Sequence, residues 1–180
     1  MGMELVIMLI INLLGGAAVI GSYIFGLKGK SGAAGVLWGG VPAGVRSLYT
    51  ASMLVATAGY FAVLYHIYFR LVPDQVTIFG VGGYAVLYVI FALIMVASAL
   101  WMPLTRMYVA NPGAGLWTAI RTVLFIVGLA SVALVIALIA MTGKVTGLPY
   151  WLAVIGSAYF AFHTLILDGI IWAALFGRSA

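Results

Sequence analysis

Long runs of apolar residues alternate with short polar punctuation along the whole chain. No Asp, Glu, Lys or Arg occurs between Glu4 and Lys28, between Arg46 and Arg70, between Asp74 and Arg106, between Arg121 and Lys144, or between Lys144 and Asp168. A helix of roughly 20 apolar residues crosses the hydrocarbon core of a bilayer, so each uncharged interval is long enough to span. The pattern predicts five transmembrane helices at about residues 4–27, 46–71, 77–103, 115–142 and 148–176. A β-barrel is excluded, because its strands alternate polar and apolar positions over roughly 10 residues, whereas Val123 to Ala140 is apolar with little interruption. The fold class is therefore an all-α integral membrane protein, a five-transmembrane-helix bundle forming a single membrane domain over 1–180.

Composition agrees with this pattern. Hydrophobic residues make up 66% of the chain and charged residues 6%, and with five spans joined by short connections little chain remains for a soluble domain. The Met1 to Val6 segment lacks the basic residues of a secretory signal, so the first span is expected to be permanent. Val6 also stands where a myristoylation motif needs Ser or Thr. No cysteine is present, which excludes disulfide and thiol chemistry.

Charge sets the expected orientation. Lys28, Lys30, Arg46, Arg106 and Arg178 fall on one face, while Glu4, Arg70, Asp74 and Lys144 fall on the other. The positive-inside rule then places the N-terminus outside and the C-terminus in the cytoplasm, with the plasma (inner) membrane as the expected location. Topology and lipid headgroups account for the formal charge of +5, and no nucleic-acid partner is invoked.

Small residues recur at helical spacing in the first span (Ala18, Ser22, Gly26) and the second (Ala51, Val55, Gly59, beside Ser52 and Ala56). Small faces permit close helix contact, so these two helices are expected to pack on each other. Tyr84, Tyr88, Phe91 and Met95 form one bulky stripe on the third span, the usual signature of a core face. Pro103 is expected to end or kink that helix, and Asn111, Pro112 and Gly113 mark a turn. Trp101, Trp117, Tyr150 and Trp151 sit at expected helix ends, as an aromatic belt would.

Gly29, Lys30 and Ser31 are reminiscent of a phosphate-binding loop, but Ile24 stands where its first glycine belongs and a membrane helix stands where a strand is needed. Nucleotide binding is rejected on both grounds.

Polar groups inside the spans are the functional leads, since leaving them unpaired in hydrocarbon costs about 2–4 kcal/mol even on lenient scales. Arg121 and Asp168 share a depth of roughly 9–12 Å from the same face, which predicts an intramembrane ion pair between them. Asn12, Tyr65 and His66, with Tyr60 and Tyr68, fall at one depth near the opposite face and are expected to line a polar-aromatic cavity for an amphipathic ligand. Tyr159 and His163, four residues apart, share a face and extend the candidate ligand-binding set. On an ideal α-helix His163 and Asp168 point about 140° apart, so no acid/base dyad is expected between them.

A bis-histidine haem is disfavoured, because His66 and His163 differ in depth by about 13 Å. A His66–Met8 pair is at compatible depth, but methionine in an apolar bundle is usually core filler. No metal site is expected. With three carboxylates in the chain, acid/base catalysis is poorly equipped and a non-enzymatic role is expected.

In helix count and size, and in the fragments Leu148-Pro149-Tyr150 and Phe79-Gly80, the chain resembles the translocator family, five-span bundles that bind porphyrins and sterols. The tryptophan- and proline-rich stretch that marks that family before its second helix is not visible, and no residue role is carried over. Three readings follow, in order. The first is a bundle that binds or senses a hydrophobic or amphipathic small molecule. The second is an interaction subunit associating with other membrane subunits or with itself. The third is a small channel or carrier.

Overall fold

The five uncharged intervals are helical in the computed structural model, which describes residues 2–28 and 33–176. Gly29, Lys30, Ser31 and Arg178, which entered the motif and charge arguments, lie outside the described residues. The long helices are α1 (Met3–Leu27), α3 (Ala43–Arg70), α4 (Gly83–Ala110), α5 (Ala114–Ala140) and a fifth helix running Leu148–Phe176. All five are long and apolar enough to cross a membrane, with mean hydropathy between 1.4 and 3.0. A short helix, α2 (Ala33–Leu37), lies in the first connection.

Two expected boundaries move. The third long helix begins at Gly83 rather than near residue 77, because Phe79 and Gly80 take positive φ and turn the chain into a small hairpin, β1 (Thr77–Ile78) with β2 (Val81–Gly82). It also runs through Pro103 to Ala110 instead of stopping there. One missing backbone donor is outweighed by the extra turns, which bury Thr105.

β1 pairs on its other side with β3 (Met141–Thr142), and the Thr77 and Thr142 hydroxyls meet at 2.6 Å. This three-stranded clasp, in the order β2-β1-β3, ties the α3–α4 connection to the end of α5. The opposite end of the bundle is filled by aromatic rings. Trp172 stacks on Phe176, Phe176 stacks on Trp117, and Trp172 meets Trp101 edge-on. Trp172 Nε1 donates to the Leu37 carbonyl at 3.1 Å, drawing the α2 connection against the helix ends.

The long helices form a ring in the order α1, α4, α5, fifth helix, α3. The small faces do not pack on each other as expected. Gly15 and Gly26 of α1 instead receive Met95 and Met102 of α4, and Gly59 of α3 lies against Gly156 of the fifth helix. The physical reason is complementarity of shape: methionine fills a glycine notch, and glycine on glycine brings two backbones together. A Cβ added to Gly156 would stand 2.6 Å from the Gly59 Cα, so nothing larger than hydrogen fits at that crossing.

Between α1 and α3 the link is made by side chains. Tyr60 donates to the Asn12 side-chain carbonyl, and its ring also meets Phe91 of α4 and Phe160 of the fifth helix, each at 5.6 Å. Tyr84, Phe91 and Met95 are buried, as their stripe predicts.

Candidate functional site

The fifth helix changes character midway. Leu148–Ala161 (α6) is α-helical, Phe162–Trp172 is a π-helix, and Ala173–Phe176 (α7) returns to α. Thr164 helps explain the transition: its hydroxyl bonds back to the Phe160 carbonyl at 2.9 Å and reaches Ser131 of α5 at 3.2 Å, competing with the ordinary ladder. Gly169 offers no side chain to resist the widened turn. Extended π segments are rare, and short π turns recur at functional sites.

The altered winding decides which side chains meet. Backbone pairing from i to i+5 widens the turn and brings a residue's fifth neighbour back toward its own side. His163 Nε2 consequently lies 3.6 Å from Asp168 Oδ2, overturning the expectation from an ideal α-helix that these two diverge. The expected Arg121–Asp168 ion pair does not form. The reason is rotation: α5 turns Ile120, Leu124 and Gly128 inward and leaves Arg121 exposed, with its guanidinium over Phe125 at 5.9 Å.

His163 is held from its other nitrogen as well. Ser52 Oγ lies 2.9 Å from His163 Nδ1 and 3.0 Å from the Tyr159 hydroxyl. Ser52 reaches across because Gly59 and Gly156, along the same seam, let α3 and the fifth helix approach closely. Tyr49 donates to the Leu167 carbonyl at 2.7 Å and meets the His163 ring edge-on at 6.3 Å, closing one flank of the group. The result is a connected line of side chains, Tyr159, Ser52, His163 and Asp168, contributed by two helices.

Asp168 is the open end of that line. Its side chain is 29% exposed, and it accepts no hydrogen bond from any described residue. Tyr23 of α1 and Tyr49 of α3 both lie within the carboxylate's electrostatic reach. Backbone contacts between α1 and α3, which carry these two tyrosines, are sparse.

The expected cavity at the other depth is dismantled. Asn12 and Tyr60 do meet, with Tyr68 beside Asn12, but Phe91 and Phe160 fill the space around them. Tyr65 points outward, 51% exposed, against Phe69. His66 turns to the seam instead, fully buried 5.6 Å from the Tyr150 ring, and neither of its nitrogens finds a partner among the described residues. Met8 is buried in the same core as Val63 and Ile67. One residue was seen but misassigned: Ser52 shares a face with Ala56 and Gly59 at spacings of four and three, and that pattern marks the seam without revealing its partner.

Ser52, His163 and Asp168 carry the residue types of a nucleophilic triad. The backbone N–H groups around Ser52 are, however, committed to the α3 ladder, so they supply no oxyanion donors. No cluster of three or more His, Cys, Asp or Glu residues suited to a metal ion occurs among the described residues. Comparison with protein-family models, curated proteins and solved structures finds no match.

Proposed function

We propose that this chain is a non-enzymatic membrane protein that binds an amphipathic small molecule, with the polar head at Asp168 and the apolar body between α1 and α3. The observation that carries the reading is the part-exposed Asp168 carboxylate, joined to His163 and lacking any hydrogen-bond donor among the described residues. A carboxylate at membrane depth needs partners, and a ligand head with N–H or O–H groups supplies them. Tyr23, half-buried on α1 and within the carboxylate's electrostatic reach, offers an aromatic face to the ligand body. Tyr159, Ser52 and His163 hold the acceptor in place from behind. The setting is the plasma membrane, N-terminus outside and C-terminus cytoplasmic, as the distribution of Lys and Arg supports.

The test is native mass spectrometry of the full chain released gently from its own membrane, run beside Asp168→Asn. The wild type is expected to carry a discrete extra mass of small-molecule size that the variant loses. A wild type that arrives bare, or an extra mass retained in full by the variant, overturns the reading.

A second reading is favoured by the continuity of Tyr159, Ser52, His163 and Asp168, which suits a proton-coupled carrier. It predicts flux in liposomes that Asp168→Asn abolishes. Association with other membrane subunits, or with a second copy, would instead show as added polypeptide mass.

A further inference from the structure

Arg121 is a charge within a long helix that has no charged or hydrogen-bonding partner among the described residues. It stands seven residues into α5, roughly 10 Å from the helix start, on a face that turns away from the ring. Arg106 bonds the Phe25 carbonyl and lies over its ring, and Arg46 bonds the Val41 carbonyl. Arg121, by contrast, makes neither an ion pair nor a hydrogen bond with any described residue.

Its surroundings are those of a headgroup and tail site. An open groove of about 430 Å³ runs along α5, lined by Trp117, Arg121, Thr122, Phe125, Ile126 and Leu129 among others. Thr122 is exposed and its hydroxyl is unpartnered among the described residues. Going deeper, the lining becomes apolar, ending at Leu129, which is 60% exposed. Donors lie near the helix start, and hydrocarbon surface continues below them for about two turns.

We propose that this groove binds an anionic phospholipid, its phosphodiester held by the Arg121 fork and the Thr122 hydroxyl and one acyl chain lying along Phe125, Ile126 and Leu129. Charge complementarity selects the occupant. A guanidinium presents planar paired donors that match phosphate oxygens, and Phe125 steadies the cation from one side. The proposal is independent of the ligand at Asp168, which lies on a different face of the ring.

The full chain in mild detergent is titrated with phosphatidylglycerol, with phosphatidylcholine of the same acyl chains, and with glycerol phosphate, and adducts are read by native mass spectrometry. Phosphatidylglycerol is expected to be retained about fivefold more than phosphatidylcholine, the preference that one basic contact at a membrane surface supplies. Arg121→Gln is expected to erase the preference, while Arg106→Gln keeps it. Thr122→Val, an exposed change that leaves the core untouched, lowers retention at least about twofold and carries the test should Arg121→Gln fail to fold. Glycerol phosphate is not expected to compete, because it lacks the chains. Undiminished preference in Arg121→Gln, undiminished phosphatidylglycerol retention in Thr122→Val, equal loss in Arg106→Gln, displacement by glycerol phosphate, or a polypeptide in place of the lipid overturns the proposal.

Discussion

His66 and His163 belong to one seam, between α3 and the fifth helix, and both are buried, yet they live in opposite chemistry. His66 is sealed against the Tyr150 ring with neither nitrogen partnered among the described residues, whereas His163 has Ser52 on one nitrogen and Asp168 near the other. Burial does not separate them; backbone winding does. Opposite His66 the fifth helix is α-helical and offers an aromatic face. Around His163 it is a π-helix, which brings a carboxylate five residues away back to the same side. A buried histidine in a bundle is therefore filler or site according to how the backbone around it is wound, a difference that residue type alone does not display.

The largest test of this contrast removes the seam itself. Gly59→Ala forces apart the backbones at Gly156, and a cost of about 1–3 kcal/mol from overpacking is expected, together with loss of the small-molecule adduct. Denaturant titration in detergent measures the first and native mass spectrometry the second; an unperturbed variant would mean that the close crossing is not required. His163→Leu is expected to cost about 2 kcal/mol, since Ser52 and Asp168 both lose a partner at once. Ser52→Ala follows at about 1 kcal/mol, because Tyr159 and His163 each give up one hydroxyl contact.

The smallest effect is expected at the other histidine. His66→Phe keeps an aromatic ring beside Tyr150 and removes two unsatisfied nitrogens, so stability should change by less than about 1 kcal/mol in either direction. If His66→Phe proves as costly as His163→Leu, the distinction between filler and site collapses.

The five helices were legible because charges in a membrane protein act as boundary marks, and the ends of α1 and the fifth helix fall within about a residue of expectation. The Tyr84 stripe was legible too, since period alone identifies a core face. Rotation was not. The charge spacing suggested one depth for Arg121 and Asp168, and only the packing of Gly128 against Leu165 reveals that α5 turns its arginine away. The small faces of α1 and α3 marked close contacts but not their partners, which depend on where Met95, Met102 and Gly156 lie. Least legible was the π-helix. A Thr164 that bonds back to Phe160 and a Gly169 are compatible with many ordinary helices, and every angular argument at 100° per residue fails once the winding changes.

The seam also has a history written in time. Ser52 and His163 are separated by 111 residues, so at typical synthesis rates of roughly 5–20 residues per second the serine leaves the ribosome about 6–22 s before the histidine. During that interval α3 exposes its glycine notch and its hydroxyl with no permanent mate. The early helices must wait beside transient neighbours, and the site is assembled only once the fifth helix has been made.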